Sequence, residues 1–324
     1  MRYFISGGAG FIGSHFVRML LTENSDRVEL VTVLDKFTYS GNEENLADLL
    51  FNPKFRLVRG DICDAEVVNS CLPGHNILVH FAAESHVDRS IESARPFVLT
   101  NVLGTQNLLE CARTAEIQTF VHVSTDEVYG SIATGSWTEA DPLWPNSPYA
   151  ASKASSDLMA RSFHQTYGMD IRITRCSNNF GTHQYPEKMI PLFVTNLIDN
   201  FKVPLYGDGQ NIRDWLHVSD HCRAIDLVSL YGRGGEIYNI GGGTELTNFA
   251  LTRQLLNLFN RSDEFIDPVQ DRQGHDRRYS VDWSKIHREL GYIPLRSIDS
   301  DLEEIVNWYR ANEHWWRPLK KLTL

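Results

Sequence analysis

No apolar run in the chain approaches the ~20 residues that a membrane-crossing helix needs, so a spanning protein is not expected. Nor is there a basic excess: 31 Lys and Arg stand against 41 Asp and Glu, a formal net charge of −10. An acidic surface repels phosphate backbones, which argues against nucleic acid as a partner. A local Arg or a helix N-terminus could still hold a small anion. Cysteine is sparse and unpatterned: Cys63, Cys71, Cys111, Cys176 and Cys222 show no CxxC spacing. That set predicts reduced thiols in a cytoplasmic protein, with neither a disulfide framework nor a zinc site. The opening residues lack the charged n-region, apolar stretch and cleavage site of a secretion signal. Internal repeats and low-complexity linkers are also missing. What remains is ordinary globular composition, 42% hydrophobic and 22% charged over 324 residues, enough for a large domain and a smaller one.

The first half alternates short β-rich apolar runs with helical patterns. Tyr3–Ser6, Val28–Asp35, Phe55–Val58, Ile77–Phe81, Thr119–Ser124 and Ile171–Arg175 read as strands. Gly13–Thr22, Val102–Thr114 and Ser152–Thr166 read as helices. This alternation predicts an α/β fold with a parallel sheet covered on both faces. After about Asn179 the pattern is irregular, punctuated by Pro186, Pro191, Pro204, Gly207 and Gly209. Short elements at Ile237–Ile240 and Asn248–Phe259, and a tail helix from Asp299 to Arg310, follow. The expected division is 1–179 for a dinucleotide domain and 180–324 for a mainly substrate-binding one, with later segments returning to the first. The cleft between them is the expected ligand site.

Gly7, Gly10 and Gly13 form GxxGxxG directly after the first strand. Gly7 and Gly10 permit a tight turn and close approach of a pyrophosphate to the backbone; Gly13 permits close packing of helix on strand. A glycine triplet alone is weak, and a plain loop is an even bet. Here the second strand ends in Asp35, 22 residues after Gly13. An acidic residue at that position accepts from ribose hydroxyls and repels a 2′-phosphate, favouring NAD over NADP. Asp61 and Ile62 are expected to flank the adenine, although Asp after a strand is also a common turn starter.

Tyr149 and Lys153 stand at i and i+4, on one face of a helix. An ammonium beside a phenol is expected to lower its pKa and make it a base. YxxxK is frequent by chance, but it follows the glycine motif and begins a helix after Pro148. At this point the chain resembles the extended short-chain dehydrogenase/reductase family. Ser124-Thr125-Asp126-Glu127-Val128-Tyr129-Gly130 narrows the likeness to the dTDP-glucose 4,6-dehydratases, because elimination of water calls for an acid and a base beyond the Tyr–Lys pair. The likeness extends through His80–Ser90, Arg175–Gly181, Pro186-Glu187-Lys188, Gly207-Asp208-Gly209, Ile212-Arg213-Asp214-Trp215 and Gly274–Tyr279. Phe180 and Thr182 stand where Tyr and Pro are usual, and Gln273 where Pro is usual.

The resemblance implies a Rossmann-like, doubly wound parallel sheet with a smaller C-terminal substrate-binding domain. It implies tightly held NAD, dTDP-glucose as substrate, and dTDP-4-keto-6-deoxyglucose and water as products. Tyr149 would take the C4 hydroxyl proton, with Lys153 holding the phenolate and Thr125 bonding the C4 oxygen. Glu127 would remove the C5 proton, and Asp126, kept protonated by burial beside Glu127, would protonate the leaving C6 hydroxyl. The implied cofactor site, besides the glycines, comprises Phe11, Ile12, Asp35, Lys36, Thr38, Asp61, Ile62, Ala82, Ala83, Thr100, Tyr149, Lys153 and Asn179. The implied substrate site comprises Ser85, Thr125, Asn178, Lys188, Arg213, Asn248, Arg272 and His275. Arg213 is the best diphosphate ligand on physical grounds, against the plainer reading of a surface pair with Asp214.

His86, His183 and His275 have no metal-ligand spacing, and no metal is expected. Trp308, Tyr309, Trp315 and Trp316 read as core packing. Helices around Leu103–Ala115 and Ser152–Tyr167 are expected to build a homodimer. The rivals are a nucleotide-sugar 4-epimerase, which needs no Asp126-Glu127 pair, a dehydratase acting on another NDP-glucose, and a non-catalytic NAD sensor on the same fold.

Overall fold

Strand β1 (Arg2–Ser6) buries Tyr3, Phe4 and Ile5 completely. Consecutive buried side chains mean that both faces of the strand are covered, as at the centre of a parallel sheet. A computed structural model describes residues 1–321 and places this strand in a seven-stranded parallel sheet. Its partners are β2 (Leu30–Asp35), β3 (Phe55–Arg59), β4 (Ile77–His80), β5 (Thr119–Thr125), β6 (Ile171–Cys176) and, much later in the chain, β10 (Ile237–Ile240). The order is β10-β6-β5-β4-β1-β2-β3, so the winding reverses between β1 and β4. A crevice opens at the carboxyl ends of the strands at such a switch point. The fold is α/β, with the parallel sheet that the strand–helix alternation predicts and the Rossmann-like winding that the resemblance implies.

One face of the sheet packs against the Phe11–Leu21 helix, through Phe16, Val17 and Leu20, and against the Val218–Tyr231 helix, through Ala224, Ile225 and Val228. The other face carries Leu108, Leu109 and Ala112 from the Thr105–Thr114 helix, and Ala160 and Phe163 from the Pro148–Tyr167 helix. Each of the Val, Leu, Ile and Phe side chains among these contributes roughly 1.5–3 kcal/mol when taken out of water.

The later half is more ordered than its Pro/Gly punctuation suggests. Four helices there, Met189–Ile198, Val218–Tyr231, Ser284–Leu290 and Glu313–Lys321, have no counterpart among the elements expected from the sequence. The second interleaves Ser219, Asp220, His221 and Arg223 with its apolar residues, which blurs its periodicity. It is held by contact with the sheet, where even Asp220 and His221 are buried. The expected Val102–Thr114 helix starts earlier, as a π-helical stretch over Val98–Gly104. Within it Asn101 is buried, accepting from the Glu84 amide and donating to Ser152 Oγ, both at 2.8 Å.

Three short strands, β7 (Asn178–Phe180), β9 (Ile212–His217) and β11 (Glu245–Thr247), make a second sheet in the order β11-β9-β7. β8 (Val203–Tyr206) pairs with β12 (Ile266–Val269). A separate core of Phe193, Val194, Leu251, Leu255, Ile305, Tyr309, Trp315 and Trp316 lies here, and Trp308 packs against it, so the tail aromatics are core residues. Among the described residues no helix is long and apolar enough to cross a membrane, and all five cysteines are unpaired.

Candidate active site

The loop after β1 turns sharply at Gly7, whose φ of +75° is a glycine conformation. A Cβ there would lie 2.4 Å from the Ala82 nitrogen, so glycine lets the ends of β1 and β4 abut. A Cβ on Gly13 would lie 2.3 Å from the Gly7 carbonyl oxygen. Gly13 therefore packs the helix against the loop itself, a correction to the expected helix–strand contact. Gly10 is different: its only near neighbour would be the Gly7 carbonyl oxygen at 3.4 Å. Protein packing does not require glycine at Gly10, whereas a ligand lying on the backbone does. The Phe11–Leu21 helix starting there has no side-chain cap and no acidic residue in its first turn. Its free amides and dipole suit a diphosphate. These residues fit a dinucleotide.

Asp35 ends β2 and has both oxygens engaged, Oδ2 accepting from the Ala9 amide at 2.9 Å and Oδ1 from the Phe37 amide at 2.8 Å. It thus ties the glycine loop to β2 while lining the cleft. Lys36 pairs with Asp61 at 2.6 Å. Phe11, Ile12, Thr38 and Ile62 line the same cleft, as do Ala82, Ala83, Thr100 and Asn179. Ser40, Gly41 and Gly60 also line it and were not singled out by sequence. They lie on loops after β2 and β3, and no local motif marks them.

The cleft continues over the end of β5 to Thr125, Asp126 and Glu127. Thr125 starts a short 3₁₀ turn, its Oγ1 accepting from the Glu127 amide at 3.3 Å. The Pro148–Tyr167 helix begins with a Ser147 cap on the Ala150 amide and with Pro148, which is preorganised for a first turn. Its inward face brings Tyr149 and Lys153, both almost fully buried, against the end of β5.

The expectation that Lys153 lowers the Tyr149 pKa is not met by the protein alone. Burial pushes the Tyr149 phenol well above its ordinary value, and the charges of Glu127 and Cys176 push it further, while a hydrogen bond with Thr125 opposes them. Lys153 Nζ donates to the Val123 carbonyl at 2.8 Å. Burial lowers its own pKa to about 8, with Asp157 opposing.

The adjacent carboxyls differ. Burial raises Asp126 well above the usual carboxylate range, and Glu127 and Asp214 add to the rise. Asp126 Oδ2 has no hydrogen-bond partner among the described residues. Glu127 is also raised by burial, but Arg272, Arg213 and Lys188 all pull it down. Two carboxyls with environments that separate them are the arrangement an acid–base pair needs.

Beyond Glu127 a second cavity opens, sharing Ser85, Asn178 and Lys188 with the first and adding Arg213, Asn248, Arg272 and His275. Every substrate-site residue expected from the sequence lines one or both cavities. Arg213 is buried, donating to the Ile212 and Asp276 carbonyls at 2.7 and 3.0 Å and stacking 4.4 Å over the Tyr279 ring. Asp214 points elsewhere, accepting from the Gly242 and Thr244 amides, so Arg213 and Asp214 are no surface pair. Lys188 Nζ donates to the Ser85 carbonyl at 2.8 Å. His275 lies between Asp271 at 2.6 Å and Arg272 at 3.4 Å. Tyr279, within the Gly274–Tyr279 stretch but assigned no role, donates to Asp276 at 2.6 Å and lies 3.4 Å from Glu127 Oε2. His86 caps a helix and lines the second cavity with His275, whereas His183 packs on the Trp308 ring, tilted at 4.4 Å.

A family model described as GDP-mannose 4,6 dehydratase matches residues 4–305. A dTDP-glucose 4,6-dehydratase from Streptomyces antibioticus is 56% identical, covering 99% of this chain and 96% of that one. The crystal structure of a dTDP-glucose 4,6-dehydratase from Streptomyces venezuelae, with NAD bound, superposes with a TM-score of 0.97 at 58% identity, covering 98% of this chain and all of the other. A UDP-glucose 4-epimerase from Thermotoga maritima shares the fold at TM-score 0.88, over 97% of this chain and 100% of its own, but only 28% of the sequence. The chain belongs to the dTDP-glucose 4,6-dehydratase family, within the wider family that the GDP-mannose 4,6 dehydratase model describes.

Proposed function

We propose that the protein converts dTDP-glucose to dTDP-4-keto-6-deoxyglucose and water as an NAD-dependent hydro-lyase. The observation that carries this reading is the buried Asp126–Glu127 pair beside Tyr149, in surroundings that separate the two carboxyls. When bound, NAD⁺ supplies a hydride acceptor, then a hydride donor, and a positive charge that favours a phenolate. Gly10 and the first turn of the Phe11–Leu21 helix hold the diphosphate, and Asp35 meets the adenosine ribose. Tyr149 takes the C4 hydroxyl proton as C4 is oxidised, with Thr125 bonding the C4 oxygen. The C4 ketone acidifies C5–H, and Glu127 removes that proton. Asp126 gives its proton to the leaving C6 hydroxyl, releasing water. With a bound cofactor giving back at C6 what it took from C4, Glu127 returns its proton to C5; the proton gained by Tyr149 matches the one lost by Asp126, and exchange with solvent restores both groups. Arg213, with Lys188 and Arg272, faces the sugar nucleotide; Ser85, Asn178, Asn248 and His275 complete its cavity.

A 4-epimerase also uses the Tyr–Lys pair, but it has no use for an elimination acid and base. Residues 1–179 form the NAD-binding part, to which the Val218–Tyr231 helix and β10 return, and 180–324 mainly bind the sugar nucleotide. The working form is a homodimer built on the helices around Leu103–Ala115 and Ser152–Tyr167. Val98, Leu99, Leu103, Leu158 and Tyr167 support this, each 43–56% exposed on or beside those helices. A cytoplasmic location fits five unpaired cysteines.

The test is incubation with dTDP-glucose, without added NAD, followed by NMR. A new C6 methyl signal with a C4 ketone or its hydrate is expected. A dTDP-galactose product would mean epimerisation and overturn the roles of Asp126 and Glu127.

A further inference from the structure

The last helix of the described chain reaches back to the first loop. The Trp315 indole N–H donates to Asn45 Oδ1 at 2.9 Å, across 270 residues of sequence. Asn45 Nδ2 in turn donates to the Ala9 carbonyl at 2.9 Å. Ala9 sits between Gly7 and Gly10, and its own amide is held by Asp35 Oδ2 at 2.9 Å. The Asn42 amide adds a second bond to the Ala9 carbonyl at 3.1 Å. An indole nitrogen can only donate and a backbone carbonyl can only accept, so the Asn45 amide has one permitted orientation. Asn45 is 1% exposed and Trp315 6%, which leaves water little access to replace either donor. At its other edge Trp315 packs on Trp308 and His183, at 5.2 and 5.6 Å. The adjoining Tyr309 hydroxyl donates at 2.7 Å to the carbonyl of Gln184, a residue that lines both cavities.

We propose that Trp315 is a positioning residue for cofactor retention, fixing through Asn45 the peptide at the centre of the glycine loop that receives the NAD diphosphate. The inference rests on the reading that this loop holds NAD. Ala9 is gripped from both sides, by Asp35 on its amide and by Asn45 and Asn42 on its carbonyl. The Ala9 carbonyl shares its peptide plane with the Gly10 amide, which donates to the Gly7 carbonyl at 3.3 Å, so rotation of that peptide would disturb the turn at Gly7 and Gly10 that lines the cleft. Release of the Asn45 bond loosens one of these grips without removing any group that touches the substrate. A reaction in which NAD is reduced and reoxidised within one turnover requires the cofactor to stay in place throughout. The tail helix thereby serves the cofactor from outside its pocket.

The test compares NAD binding in the full-length wild type, Trp315→Phe, Asn45→Ala and the double variant. Trp308→Phe is the control, since it alters the same aromatic cluster without touching Asn45. Readouts are NAD per protomer after gel filtration, NAD Kd on stripped protein, and kcat at saturating NAD. Loss of one buried hydrogen bond is expected to raise Kd about three- to tenfold in Trp315→Phe. kcat at saturating NAD should stay within about twofold, and Trp308→Phe should bind as wild type. The double variant should be no weaker than Asn45→Ala, because the two residues act in series. Asn45→Ala reads the same link should Trp315→Phe fail to fold. Unchanged Kd in both single variants, or strictly additive losses, would overturn the inference. Failure of the wild type to bind NAD at all would overturn the cofactor reading beneath it.

Discussion

Asp126 and Glu127 are consecutive in the chain, yet their buried carboxyls meet different charges. Glu127 and Asp214 outrank Arg213 at Asp126, while Arg272, Arg213 and Lys188 outrank Asp276 at Glu127. The 3₁₀ turn that follows β5 separates the two side chains and makes the difference possible. Burial raises both, Asp126 well above the usual carboxylate range and Glu127 against the pull of three cations.

Asp126→Asn keeps the shape and removes the transferable proton. Dehydration should slow by about 10²–10⁴-fold, the usual contribution of a positioned acid, while C4 oxidation slows far less. Transient NADH absorbance followed against product formation separates the two steps. Equal loss of both would refute the assigned role.

The pH profile should show an alkaline limb. Burial lowers the Lys153 pKa from 10.5 to about 8, so raising the pH through about 8 removes the ammonium in the folded protein. Activity should fall there. The stability contribution has the opposite sign: between about 8 and 10.5 the unfolded chain holds the extra proton, so the penalty of burying this ammonium shrinks and stability rises with pH. Rate and denaturation profiles over this range, in wild type and Lys153→Met, check both signs. A limb unchanged by the substitution would assign it to another group.

Gly10→Ala and Gly13→Ala should fail differently. A Cβ on Gly10, at φ −75°, meets only the Gly7 carbonyl oxygen at 3.4 Å, so the variant should fold with near-normal Tm yet lose NAD. A Cβ on Gly13 collides with that oxygen at 2.3 Å, and overpacking of this kind costs about 1–3 kcal/mol. Thermal melts of the stripped proteins, beside their NAD content as isolated, distinguish the two. Equal destabilisation would contradict the assignment of Gly10 to the ligand.

Leu158 is 56% exposed on the Pro148–Tyr167 helix. Leu158→Glu would place a charge in the proposed dimer seam, and sedimentation equilibrium should then give a monomer where wild type gives a dimer. A wild-type monomer would show that this apolar strip has another occupant.

Local spacing in the sequence determined much of this protein. Gly7, Gly10 and Gly13, the Asp35 that ends the next strand, the Tyr149–Lys153 pair and the Thr125–Glu127 run are short-range patterns. Their geometry follows from a strand, a turn and a helix whose dimensions vary little. The alternation of strands and helices likewise determined the parallel sheet. The tertiary structure decided what depends on partners far away in sequence. Burial, rather than the i,i+4 spacing, pushes the Tyr149 phenol up and the Lys153 ammonium down in pKa. Packing on the sheet made a helix of Val218–Tyr231, and a long return of the chain placed β10 beside β6. The Trp315–Asn45–Ala9 chain of hydrogen bonds had no local signature at all. A donor and an acceptor 270 residues apart become neighbours only when two separate cores have packed.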